Sequence, residues 1–220
     1  MGKTIQTKLR GQTLILSSDK AIFWKEESIL VLADVHLGKA MHFRKAGIPV
    51  PLSAGSDNLQ RMTDLITGFS PLRIIFLGDL FHSFHNEAWE QFGEWRAGHS
   101  VIDMDLVIGN HDILPEKEFS RFDIDVYDPH LVHGPFVFSH EPSDEQISGK
   151  YHMAGHIHPA VRLRDQGRQR FKLPCFWFGT HQGLLPAFGN FTGTAIIEPA
   201  LEDQVFVTTS NEVIDVSTLL

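Results

Sequence analysis

The sequence predicts an α/β fold in which two β-sheets pack together with helices outside. Two observations predict it. Strands alternate with helical patterns in the first half of the chain, and from Ile124 onward candidate strands follow one another, the order expected of packed sheets covered by helices. Five apolar runs also end on side chains with metal-ligand chemistry. Leu30-Val31-Leu32-Ala33 leads to Asp34 and His36, Ile74 to Leu77 leads through Gly78 to Asp79, and Leu106-Val107-Ile108-Gly109 leads to Asn110 and His111. Phe136 to Ser139 leads to His140, and Tyr151 to Gly155 leads to His156 and His158. Short apolar runs bounded by glycine are buried strands that deliver their next residues to a sheet edge.

Taken in order, Thr4 to Trp24 alternates apolar and polar residues around Gly11-Gln12, which predicts a hairpin leading into the first core strand. After Asp34 the segment holding Gly38, Gly47, Pro49, Pro51 and Gly55 reads as a long, non-helical loop. Ser56 or Asp57 is expected to cap a helix whose apolar residues Leu59, Met62, Leu65 and Ile66 share a face and which Gly68 ends. Asn86 is expected to cap a second helix, with Trp89, Phe92 and Trp95 on one stripe. That stripe reads as packing against the sheet rather than as a substrate platform. Later strands are expected at Pro135 to Ser139, Tyr151 to Ala154, Val161 to Leu163, Thr194 to Glu198 and Val205 to Thr208, with an edge strand within Asn211 to Leu220.

With 220 residues and 42% hydrophobic content, the chain can bury a substantial core, and a single domain over residues 1–220 is expected. A formal net charge of -8 argues against a whole-surface polyanion binder, so any nucleic-acid contact must be local. Cys175 is the sole cysteine, which rules out an intrachain disulfide and a thiolate zinc site and fits a reducing compartment. The N-terminus lacks the apolar core of a signal peptide, and no window approaches the ~18 apolar residues of a membrane span. A soluble cytoplasmic protein with no membrane partner is therefore expected.

The chain carries 13 histidines, and several stand at strand ends. A two-metal hydrolytic site needs carboxylates, imidazoles and one oxygen ligand able to bridge ions ~3.5–4 Å apart. Asp34-x-His36 and His156-x-His158 supply paired ligands, Asp79 alone at its strand end is the natural bridge, and Asn110 and His140 complete the inventory. Two divalent ions bring a charge of about +4 against -2 from the two aspartates, which leaves a centre attractive to a phosphate ester. Coordination lowers the pKa of water to about 7, so a hydroxide held between the ions is the expected nucleophile.

These motifs, with Gly109-Asn110-His111-Asp112 and Gly155-His156-Ile157-His158 among them, resemble the five ordered motifs of the calcineurin-like metallophosphoesterases. The resemblance implies a pair of mixed sheets flanked by helices (αββα). It also implies that Asp34, His36, Asp79 and His158 hold one metal and Asp79, Asn110, His140 and His156 the other. His111 would steady developing charge and help the leaving oxygen depart; Asp112 would be structural. Two positions depart from the pattern. His82 stands where many members carry an aspartate that orients the active-site histidine, and Glu141 stands where many have glycine.

Ala33 to Pro51, Ser139-His140-Glu141-Pro142, Leu173 to Trp177 and Leu185 to Gly189 are more closely similar to the ligase-associated DNA-damage-response phosphodiesterases. That implies a nuclease of DNA repair associated with a DNA ligase and a helicase, with manganese as the family's metal; iron, zinc and magnesium remain chemically open. Two readings of Arg44 stand, contact with a substrate phosphate or a local salt bridge. Arg162, Arg164, Arg168, Arg170 and Lys172 alternate around a turn at Asp165-Gln166-Gly167, as a phosphate-backbone track or as a solvated hairpin face. The alternatives to a DNA phosphodiesterase are an enzyme acting on a small nucleotide or phosphate ester, and a binding scaffold that has lost catalysis.

Overall fold

A computed structural model describes residues 2–39, 43, 47, 57–82, 87–145, 147–164 and 169–219. Its first sheet has seven strands in sequence order: β1 (Thr4–Leu9), β2 (Gln12–Ser17), β3 (Ala21–Trp24), β4 (Ile29–Ala33), β5 (Arg73–Leu77), β6 (Asp103–Val107) and β7 (Ile124–Tyr127). β1 to β4 pair antiparallel, and β4 to β7 pair parallel. The stretch Thr4 to Trp24, expected as a hairpin, is thus the first three strands of a four-strand antiparallel run.

The second sheet, of nine strands, comprises β8 (His130–His133), β9 (Phe136–Ser139), β10 (Tyr151–Ala154), β11 (Pro159–Arg164), β12 (Arg170–Phe178), β13 (Gln182–Leu184), β14 (Ala195–Ile196), β15 (Gln204–Thr208) and β16 (Val213–Asp215). β10 lies parallel to both β9 and β13. β12 pairs along Arg170 to Pro174 with β11, and from Cys175 onward with β15. Both sheets are mixed, as expected. The strand anticipated at Thr194 to Glu198 shrinks to Ala195–Ile196, and the C-terminal edge strand to Val213–Asp215.

Parallel strands buried on both faces explain why the sequence shows continuous apolar runs there instead of alternation. Leu30, Leu32, Ile74, Phe76, Met104 and Leu106 face the helices α1 (Asp57–Phe69), α2 (Glu87–Ala97) and α3 (Glu116–Ser120), meeting Met62, Leu65, Trp89, Phe92 and Phe119. Val31, Ala33, Ile75, Leu77 and Val107 face the other way, against Phe136, Phe138, Tyr151, Met153, Phe176 and Phe206 of the second sheet. The aromatic stripe of α2 is therefore packing, as read. All three described helices lie on the first sheet's outer face.

Two sequence expectations change here. Gly68 does not end α1, which runs through Phe69; Ser70 takes the left-handed position (φ 49°) and its N–H bonds to Ile66 O at 2.8 Å. The segment after Asp34 is not wholly a non-helical loop, since Lys39 and Phe43 have helical backbone and the Lys39 N–H closes a turn onto His36 O. The Asn86 cap, Arg44, and the turn at 165–168 with Arg168 lie outside the described residues.

A serine in the left-handed region is strained where glycine is not. We expect Ser70→Gly to raise stability by about 0.5–1 kcal/mol, read as a higher denaturant midpoint at unchanged slope; an unchanged or lower midpoint would contradict this account of the helix end.

Candidate metal centre

β4, β5 and β6 run parallel, so their C-terminal ends lie on one edge of the first sheet; β9 and β10 do the same in the second. Those five ends meet. Asp34, His36, Asp79 and His140 are buried to between 0 and 3% exposure. Ligand-type atoms of Asp34, His36 and His158 lie within 4.8 Å of one another, and so do those of Asp34, Asp79 and His140. Asp34 belongs to both groups, whereas Asp79 was the expected bridge. Asp79 nevertheless faces two ways, with Oδ2 3.7 Å from His36 Nε2 and Oδ1 3.6 Å from His140 Nε2.

Backbone conformation aims these side chains. Asp34, His36, Asp79, His156 and His158 all have positive φ, between 51 and 62°, a region costly for side chains of this kind. The strained turns bring both residues of each x-separated pair inward. Glycines admit the close approach. A Cβ on Gly109 would overlap the Asp79 backbone nitrogen and Oδ1, and one on Gly155 would stand 2.6 Å from Asp34 Oδ2.

Proton accounting tests whether these residues fit a metal. A neutral imidazole has one N–H. His158 directs Nδ1 to Gly193 O at 2.9 Å, and His140 directs Nδ1 to Leu77 O at 3.0 Å. With those N–H groups donated to carbonyls, the Nε2 lone pairs point inward. His158 Nε2 then meets Asp34 Oδ1 at 3.2 Å, and His140 Nε2 meets Asn110 Oδ1 at 2.9 Å. Asp34 Oδ1 is buried and accepts no hydrogen bond. Lone pairs facing lone pairs in a buried site repel until a cation lies between them. Carbonyl partners on the outer ring nitrogens are also what hold metal-binding histidines in the right tautomer. The donor set, of carboxylates, imidazoles and one amide, therefore fits divalent ions.

Backbone N–H groups fix the carboxylates, Asp34 from the second sheet and Asp79 from its own. Asp34 Oδ2 accepts the His156 N–H at 3.0 Å and Asp79 Oδ1 the His111 N–H at 2.9 Å. His156 reaches the site through Nδ1, 3.0 Å from His140 Nε2. The His111 ring stands 5.4 Å from that of His36 and 4.9 Å from that of His82, so His82, standing where the resemblance places an orienting aspartate in many members, packs beside His111. Asp112 is structural, as read, accepting the Gly109 and Phe81 N–H groups; burial pushes its pKa up to about 7. Burial first, then the nearby Lys39 ammonium and the neighbouring imidazoles of His158, His82 and His111, pulls His36 down to about 2. It is thus held in the neutral form that a metal requires.

Several supporting roles went unread in the sequence, where Leu185 to Gly189 carried only a family resemblance. Leu185 to Gly189 forms a strap across both sheets at the site, its Leu185 N–H bonding Ala154 O, Phe188 N–H bonding Ala33 O and Gly189 N–H bonding Asp34 O. Arg61 holds the strap through Phe188 O at 2.8 Å, and Asn58 holds Val35 O at 3.0 Å. Asn58, Arg61, Met62 and Leu65 fall on one face of α1, so polar residues interrupting an apolar stripe were the available signal.

Two outcomes follow from this geometry. Gly109→Ala should push Asp79 out of place, costing about 1–3 kcal/mol and sharply reducing bound metal in elemental analysis of the purified protein; full metal content would refute the close-packing argument. In metal-free protein, His36 contributes stability that is fully present above its ordinary pKa near 6.5 and lost as pH falls, because only the unfolded chain takes the proton. Asp112, raised by burial, contributes in the opposite sense, so the readout is the difference: from pH 7 to pH 4 the wild-type denaturant midpoint should fall relative to that of His36→Asn.

Comparison with known proteins agrees with the geometry. Residues 27–201 match the calcineurin-like phosphoesterase family. The crystal structure of Pseudomonas putida nuclease MPE is similar at 30% identity and a TM-score of 0.80, over 97% of this chain and 100% of that one. A conserved uncharacterized protein of Streptococcus pneumoniae aligns at 13% identity and a TM-score of 0.36, over 85% of this chain and 96% of that one. Among curated proteins, none matches significantly. With the family match spanning most of its length and a nuclease of the same fold covering nearly all of it, the chain belongs to the calcineurin-like phosphoesterases and is a metal-dependent phosphoesterase.

Proposed function

We propose that this protein is a dinuclear-metal phosphodiesterase that cleaves DNA, acting in DNA repair. The observation that carries the reading is the meeting of two ligand groups on the buried Asp34, one through His36 and His158 and the other through Asp79 and His140. Asp34, His36, Asp79 and His158 would hold one ion, and Asp79, Asn110, His140 and His156 the second. When bound, the ions supply Lewis-acid polarisation of the phosphoryl group and an activated water. Manganese is proposed as the metal, within the wider range that imidazole–carboxylate sites accept.

The remaining work falls to this chain's own side chains. His111, half-buried and fixed through its backbone to Asp79 Oδ1, presents its ring beside His36. There it steadies charge on the phosphoryl oxygens and gives a proton from a ring nitrogen to the leaving oxygen. His82 positions that ring by packing against it. DNA as the substrate is supported by the likeness to the P. putida nuclease, and the repair setting by the resemblance to the ligase-associated group. A small phosphate ester is the second reading, favoured by the acidic residues Asp128, Glu141, Asp144 and Glu145 around the recess of about 680 Å³ beside Asn110 and His140.

Side-by-side assays with added manganese, using bis(p-nitrophenyl) phosphate, single-stranded DNA and nicked DNA, separate these readings. Wild type is expected to cleave DNA, to lose activity with a chelator and to regain it on metal addition. His111→Ala should cleave at least ~100-fold more slowly with its metal content intact. Turnover of the small ester alone would replace the first reading with the second.

A further inference from the structure

β11 and β12 form an antiparallel ribbon with two distinct faces. Val161 pairs with Leu173 and Leu163 with Phe171; Val161, Leu163 and Leu173 pack in the small core with Cys175, Val205, Val207 and Val216. On the opposite face Arg162 pairs directly with Lys172, and Arg164 with Arg170. All four cations are exposed. Like charges placed directly across a ladder destabilise it, and among the described residues none of the four is ion-paired to a carboxylate, although Glu198 borders the same end of the ribbon. Burial of the apolar face does not require that arrangement.

The ribbon is continuous with the metal centre. β11 begins at Pro159, directly after His158, and at ~3.3 Å per residue it carries Arg162 roughly 13 Å and Arg164 roughly 20 Å away. Lys172 reaches across β11 to Thr194 O, next to Gly193, whose carbonyl holds the His158 ring. The cationic face thus runs from the flank of His158 outward. The other flank, at Asn110 and His140, opens on the recess with Asp128, Glu141, Asp144 and Glu145 against the single cation Lys150. A polyanion seated on the metals is repelled on that side and attracted on this one.

We infer that the face formed by Arg162, Arg164, Arg170 and Lys172 is the track on which the phosphate backbone of a single nucleic-acid strand lies as it leads into the metal centre. Residues two apart on a strand stand roughly 6.7 Å apart, a spacing that successive phosphates of an extended strand can follow. The inference rests on the DNA-phosphodiesterase reading and adds where the substrate strand runs.

The test measures equilibrium binding of a phosphorothioate single-stranded oligonucleotide, which keeps the backbone charge and resists cleavage, to the manganese-loaded protein across a salt series. Each phosphate contact contributes about 0.7 to the slope of log K against log salt for a single strand. Arg164→Gln with Arg170→Gln should flatten that slope by about 1.4, and should lower DNA cleavage at least tenfold relative to hydrolysis of bis(p-nitrophenyl) phosphate. Lys8→Gln with Lys25→Gln, exposed on the first sheet, makes the same change in net charge and should leave the slope as it was. Equal effects in both pairs, or none in the arginine pair, overturn the track while the nuclease reading stands. Failure of wild type to bind or cleave DNA overturns both.

Discussion

Asp34 couples the two halves of the protein, because its buried carboxylate, carried at the end of β4 in the first sheet, bonds a backbone N–H of the second and leaves one oxygen without a hydrogen bond. Oδ2 accepts the His156 N–H from the end of β10, and the Asp34 backbone carbonyl accepts Gly189 of the strap. Oδ1 faces His158 Nε2 and, at 4.0 Å, His140 Nδ1. An ionised carboxylate at 0% exposure is costly unless paired. Among the described residues the cation that acts on Asp34 and Asp79 is Lys39, and divalent ions would bring the further pairing charge. Metal binding and the docking of the two sheets are, on this view, one free-energy term.

The same constraint explains where strain is tolerated. Five left-handed non-glycine residues at the strand ends cost on the order of 1–3 kcal/mol each. They are held in place by the apolar layers on both sides of β4, β5 and β6, by the strap that Arg61 fastens to α1, and by Asn58, which ties Val35 to the same helix. The arrangement also confines positive charge. A chain of net charge -8 can still draw in a phosphate ester, because the field that matters is that of the filled centre and of the ribbon beside His158 rather than that of the whole surface.

Much of this was legible from local pattern. The continuous apolar runs before Asp34, Asp79, Asn110 and His140 named buried strands and their ends, since a strand buried on both faces has no polar alternation to obscure it. The aromatic stripe of α2 read correctly as packing for the same reason of periodicity. Errors fell where one residue's propensity competes with its surroundings. Gly68 looked like a helix end, but Ser70 took the left-handed position one turn's hydrogen bond later, and the Thr194 to Glu198 strand kept only the two residues that find a partner in β11.

By itself, the sequence determined the two-sheet architecture and the roster of ligand-type residues, because strand period, glycine-bounded runs and side-chain chemistry are all local properties. Which lone pairs face one another, that Asp34 as well as Asp79 looks both ways, and that Leu185 to Gly189 straps β4 to β10 were decided only by tertiary structure. Those facts depend on distances between residues 35 to 122 positions apart, and on which nitrogen of each imidazole is already committed to a backbone carbonyl.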